Sequence, residues 1–169
     1  MQNGAVCLIN AKLEQAKNLE TLSRLTQCSM QVLFKLENTG AVVLIKRESL
    51  TLAKEVSLVG FTEGLFRQMC ILSGCDYLPS IPGMGLKKAH KYIKRWKNAE
   101  RVIKQCRFDG MKVPPNYLEE FKRAEATFVY QRVYDPVAKV LTTLCPLPDT
   151  FEGPTDYIGW YVTAPFLSF

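Results

Sequence analysis

Two glycines one residue apart, Gly83 and Gly85, constrain this chain more than any other feature, because the turn they form leads straight into a helix with two opposed faces. Glycine reaches backbone angles closed to other residues and lets the chain pass close to a ligand. In the helix that follows, at 100° per residue, Leu86, Ala89, Tyr92, Ile93 and Trp96 share one side, while Lys87, Lys88, Lys91, Lys94 and Arg95 share the other. One side suits a core and the other an anion. Upstream, Phe61, Leu65, Met69 and Leu72 recur at helical spacing, which predicts a helix over Phe61–Ser73 with Thr62 as its N-cap and Gly74 as its stop. Between the two helices a single carboxylate, Asp76, stands in a run that is otherwise apolar or small.

A Gly-x-Gly turn into a helix N-terminus presents backbone N–H groups backed by partial positive charge, which suits a phosphate oxygen. The charge distribution points the same way. The chain of 169 residues carries a net +6, yet residues 86–107 hold nine Lys or Arg against the single acid Glu100, so that window contributes +8 and the remainder nets −2. Charge this concentrated fits a polyanion such as nucleic acid, or else a merely solvated helix face.

With 47% hydrophobic residues, the length fits one ordinary domain with a real core. The six cysteines, at 7, 28, 70, 75, 106 and 145, form no zinc pattern, and His90, the one histidine, has no second ligand spaced for it. They read as buried thiols of a reducing compartment. Neither a secretory signal pattern nor an uninterrupted apolar run long enough for a membrane span is present in the sequence.

The run SGCDYLPSIPGMGLKKA resembles the signature of the structure-specific 5′ nucleases, the flap endonuclease and exonuclease 1 family with its XPG-like members. VLFKLENTG upstream and TFVYQRVYDP downstream resemble the same family, so the likeness spans roughly residues 28 to 145. It implies that Asp76 ligates catalytic divalent metal. It also implies that the Gly83–Gly85 turn and its flanking helices form a helix-two-turn-helix, a relative of the helix-hairpin-helix, that grips a DNA backbone. Ser73, Ser80 and Met84 then take the positions whose backbone or hydroxyl oxygens hold a potassium ion, with Met84 replacing an isoleucine of the family pattern. The implied activity is magnesium-dependent hydrolysis of DNA from a 5′ end, nick or flap, in the nucleus, with mismatch-repair and other repair proteins as partners.

Two-metal cleavage needs several carboxylates around ions about 4 Å apart. The family's Glu-Asp-x-Asp element would fall near Leu19–Leu22, which reads Leu-Glu-Thr-Leu, so that Glu20 stands in for one acid and Leu22 replaces another. Earlier acidic motifs, the first strand and the arch lysines have no counterpart in the sequence. Asp76 alone carries over, and a helix-terminal hydrogen bond is the competing role for it.

Elsewhere, residues 5–25 are spaced for a helix, and Gln31–Leu36 and Ala41–Lys46 flank Glu-Asn-Thr-Gly as a hairpin. Ser49–Val56 fits a short helix, as does Ala99–Cys106 with Val102 and Ile103 inward. Tyr117, Phe121, Ala124 and Phe128 predict a helix from Asn116 to about Tyr134, closed by Asp135-Pro136, with its aromatics in the core. Lys139–Leu144 fits a strand and Asp156 a short helical turn. The expected fold is mainly α with a small β-hairpin, the C-terminal part of an α/β nuclease fold. Residues 1–60 are a remnant of the nuclease sheet, 61–145 the helical DNA-binding subdomain, and 146–169 a tail. Three functional classes compete. A nuclease needs the acids that are missing, a double-stranded DNA-binding module needs only the loop and basic helix, and a protein-interaction fragment would use an exposed patch at Tyr157, Trp160 and Phe166.

Overall fold

The computed structural model describes residues 31–34, 38–41, 43–46, 50, 56–135, 137–149, 151 and 155–159. The helices expected over 5–25 and 49–56, Glu20, Leu22, Trp160 and Phe166 all lie wholly or largely outside these residues.

A first antiparallel hairpin pairs β1 (Gln31–Phe34) with β2 (Val43–Lys46) in the register Gln31↔Lys46 to Phe34↔Val43, as the turn residues between them predict. Four helices follow: α1 (Glu63–Leu72), α2 (Leu86–Trp96), α3 (Ala99–Phe108) and α4 (Tyr117–Tyr130). The described residues are therefore mainly helical, with small two-stranded sheets.

Helix α1 is the hub. Thr62 caps it by accepting from the Leu65 N–H at 3.3 Å, and Gly74 ends it in the positive-φ region at 103°. Four successive residues, Met69, Cys70, Ile71 and Leu72, are buried, so α1 is covered on every side near its C-terminus. It packs against α2, α3 and α4. The Gln68 amide oxygen accepts from the Ala99 N–H at 3.1 Å, giving the first turn of α3 an acceptor from α1, and Gln68 and Arg67 both reach Glu125 of α4 at 3.4 Å. Ala89 and Ile93 of α2, Val102, Ile103 and Cys106 of α3, and Tyr117, Phe121, Ala124 and Phe128 of α4 close the same core. Burial pushes the thiols of Cys70 and Cys106 up, as expected of structural cysteines.

Helix α4 ends earlier than its periodicity predicts. It stops at Tyr130, Gln131 turns extended (φ −47°, ψ 136°), and Arg132–Asp135 becomes strand β3, paired antiparallel with β4 (Val140–Thr143). Asp135 opens the turn between them rather than closing a helix. Its Oδ1 accepts from the backbone N–H groups of Val137 (2.8 Å) and Ala138 (3.1 Å), a local bond that competes with helix. A 3₁₀ turn at Asp156–Ile158 then packs on α4: Ile158 is fully buried, the Thr127 hydroxyl donates to the Tyr157 carbonyl at 3.3 Å, and Arg132 holds the carbonyls of Thr155 and Gly159. Tyr157 is half-buried there. Among the described residues no helix is long and apolar enough to cross a membrane.

Candidate nucleic-acid interface

The loop between α1 and α2 is built from three small closures. Cys75 and Leu78 exchange both backbone hydrogen bonds, N–H to carbonyl at 2.9 and 3.2 Å, so Asp76 and Tyr77 form the exposed tip of a two-residue turn. The Met84 N–H returns to the Ile81 carbonyl at 2.8 Å, and Gly83 supplies the positive φ of 79° that this turn demands. Leu78, Ile81 and Met84 are buried and anchor the loop to the core, while the Tyr117 hydroxyl of α4 donates to the Pro79 carbonyl at 3.1 Å.

The third closure is steric. A Cβ at Gly74 would stand 3.3 Å from both the Cβ and the backbone nitrogen of Ser80, so the end of α1 and the middle of the loop touch there through the glycine. Ser73, Gly74 and Ser80 are thereby neighbours. The Ser73 hydroxyl donates to the Cys70 carbonyl at 2.8 Å and keeps its oxygen lone pairs. Met84 turns its side chain into the core, so position 84 offers a ligand only its main-chain oxygen and tolerates an exchange of Ile for Met.

Gly85 is the N-cap of α2 and has no side chain to cap the helix; nothing stands within 4 Å of where its Cβ would lie. The first-turn amides of α2 thus lack a side-chain cap, and Gly85 in front of them is exposed. The Lys88 ammonium stands 3.8 Å from the Cβ position of Gly83, directly over the turn. The predicted division of α2 is borne out: Ala89 and Ile93 are buried, Leu86, Tyr92 and Trp96 half-buried, and Lys87, Lys88, Lys91, Lys94 and Arg95 exposed. Among the described residues no carboxylate pairs with Lys88, Lys91 or Lys94.

Asp76 stands apart. It is exposed, and among the described residues no group of three His, Cys, Asp or Glu side chains gathers to hold a metal. His90 has a structural role: its Nε2 lies 2.8 Å from the Ser57 carbonyl oxygen and its ring stacks on Phe61 at 5.0 Å.

Sequence reasoning missed a cleft of about 360 Å³ on the basic side of α2, lined by Lys88, Lys91, Arg95, Tyr92, Trp96, Gln105 and Asp109. Tyr92 packs its ring on the edge of the core as expected, but its hydroxyl also donates to Asp109 Oδ2 at 2.7 Å, and Gln105 donates to Asp109 Oδ1 at 2.7 Å. The Tyr92 hydroxyl is pushed up to about 12, first by its bond to Asp109 and then by burial. The same bond, with the one from Gln105, holds the Asp109 carboxyl below its ordinary value. Gln105 and Asp109 lie four apart on the polar side of α3, a spacing legible in the sequence but without meaning until α2 is known to face it.

No family model matches the chain. Individual proteins do. The chain is 45% identical to exonuclease 1 of Arabidopsis thaliana over 130 residues, which is 77% of this chain and 18% of that protein. It is 39% identical to exodeoxyribonuclease 1 of Schizosaccharomyces pombe over 116 residues, 68% of this chain and 20% of that protein. Flap endonuclease 1 of Caenorhabditis elegans is 38% identical over 98 residues, 58% of this chain and 25% of that protein. By sequence the chain is thus similar to part of the proteins of the exonuclease 1 and flap endonuclease class. Within that class it is exonuclease 1-like. It spans less than a fifth of the length of the Arabidopsis protein.

Proposed function

We propose that this chain carries the duplex-gripping part of a DNA-repair nuclease of the 5′→3′ exodeoxyribonuclease and flap endonuclease type. The observation that carries this reading is the uncapped N-terminus of α2 behind Gly83 and Gly85, with the Lys88 ammonium over the turn and Lys87, Lys91, Lys94 and Arg95 exposed behind it. Backbone amides and lysines meet phosphate oxygens without reading bases, so the chain binds double-stranded DNA regardless of sequence. The names of the relatives, exodeoxyribonuclease and flap endonuclease, support DNA as the substrate class; in this reading the DNA has a 5′ end, nick or flap and the site of action is the nucleus.

In this reading α1, the loop and α2 act as a helix-two-turn-helix. Oxygens of Ser73, Ser80 and Met84 fit a hard monovalent cation, potassium, because the donors are oxygen only and Gly74 leaves room where Ser80 approaches. An ion held by those oxygens would add positive charge to the loop that leads into α2. Magnesium is a different case. Asp76 offers one carboxylate, and one carboxylate does not make a two-ion site, so no hydrolytic step is derived from the described residues. That observation favours a second reading of the 169-residue chain on its own, a DNA-binding module without catalysis.

A salt titration by fluorescence anisotropy on two unrelated duplexes tests the grip. With about four phosphates neutralised, the log–log slope is roughly −3 to −4, and changing Lys87 and Lys91 together to Ala flattens it by about two units on both sequences. Weak binding with no change of slope in the double variant refutes it.

A further inference from the structure

The cleft between α2 and α3 has a composition that a phosphate grip alone does not call for. One wall is a row of cations, Lys88, Lys91 and Arg95, spread along about 10 Å of helix. The opposite wall is a carboxylate and an amide, Asp109 and Gln105, fixed against each other and against the Tyr92 hydroxyl at 2.7 Å. Between them lies the aromatic edge of Tyr92 and Trp96, with the Arg95 guanidinium 5.4 Å from the Trp96 ring centroid. A surface built only for phosphate has no use for an acid in its midst, since Asp109 repels every phosphate that its neighbours attract.

The arrangement matches a whole nucleotide. Phosphate suits the lysine wall, the base face suits the half-buried Trp96 and Tyr92, and the edge of an unpaired base suits Asp109 and Gln105. Each Asp109 oxygen accepts one bond from within the protein and retains acceptor capacity. A carboxylate accepts from an exocyclic base amine such as that of cytosine. The volume of about 360 Å³ lies at the small end of ligand clefts. We propose that the cleft between α2 and α3 is a subsite for an unpaired deoxynucleotide bearing an exocyclic amine, adjoining the duplex grip at Gly83–Gly85. The inference rests on the DNA-binding reading, extending it from the backbone of paired DNA to a single-stranded extension.

The test uses the full chain and three probes: a blunt duplex, the same duplex with a short oligodeoxycytidine extension, and the free oligodeoxycytidine strand. Wild-type protein binds the extended duplex about fivefold or more tighter than the blunt one. In Asp109→Lys the added cation leaves blunt-duplex affinity equal or higher, while the preference for the extension disappears. Gln105→Leu lowers that preference without adding charge. An unfolded variant loses the blunt duplex as well, and far-UV circular dichroism identifies it. Equal wild-type affinity for blunt and extended duplexes overturns the subsite and leaves the duplex grip standing, as does an extension preference untouched in Asp109→Lys. Failure to bind any probe overturns both. Binding of the free strand, lost in Asp109→Lys, without binding of the blunt duplex keeps the subsite and removes the grip.

Discussion

The hydroxyl of Tyr117 donates to the carbonyl of Pro79 at 3.1 Å, across 38 residues of sequence, and so ties the first turn of α4 to the loop that precedes the glycines. Tyr117 is almost fully buried, and burial pushes its hydroxyl up from the usual tyrosine value. Removing the hydroxyl while keeping the ring isolates this tie. Tyr117→Phe is expected to lower stability by about 1 kcal/mol in urea unfolding, since the exposed Pro79 can turn to water and the ring still fills its place. A loss above about 3 kcal/mol, the scale of a core truncation, would show that the ring has shifted as well.

If the oxygens of Ser73, Ser80 and Met84 hold potassium as proposed, duplex binding depends on that ion. Replacing potassium with lithium at constant ionic strength is expected to weaken duplex binding while helical content by circular dichroism stays largely the same. Equal affinity in both salts removes the ion from the account.

The Tyr92–Asp109 pair gives a pH signature. Asp109 has a lowered folded value, so its contribution to stability is present above the ordinary carboxylate value of 3.8 and is lost as pH falls through the lower folded one. Tyr92 is the mirror case: its contribution is present below 10.0 and is lost as pH rises toward about 12. Asp109→Asn is therefore expected to shallow both limbs of a melting-temperature profile. Limbs identical to wild type would mean the bond is not kept in solution.

Catalysis is expected to be absent from the 169-residue chain alone, because Asp76 has no companion acids among the described residues. The assay is magnesium-dependent release from a labelled duplex with a recessed end. Turnover that disappears in Asp76→Ala would overturn this expectation and point to acids outside the described residues.

Most of the helical core was legible because its signals are local. Thr62 and Gly74 bound α1 as their chemistry predicts, and the two-sided pattern of α2 survives intact in the fold. The β1–β2 turn was legible in the same way. The end of α4 was not. No residue from Gln131 to Tyr134 breaks a helix, so the expected stop fell at Asp135-Pro136, and only pairing with β4, a partner beyond the turn, makes a strand of Arg132–Asp135. The cleft was hidden for a related reason. Tyr92 lies on the apolar side of α2 by angle, and its polar tip acquires a role only when α3 folds back to bring Asp109 within 2.7 Å. The position of Asp76 at a turn tip likewise depends on the Cys75–Leu78 pairing, which no spacing rule announces.

Met69, Cys70, Ile71 and Leu72 in sequence leave α1 no side from which water can peel it. Their amide hydrogens are therefore expected to trade with solvent only on the timescale at which the whole domain comes apart. Ser73 and Gly74 are the next two residues, so the loop begins on the most permanent part of the molecule. Such a loop is a fixed jaw, not a clasp: in the proposed duplex grip, the DNA would adapt to the protein and not the loop to the DNA.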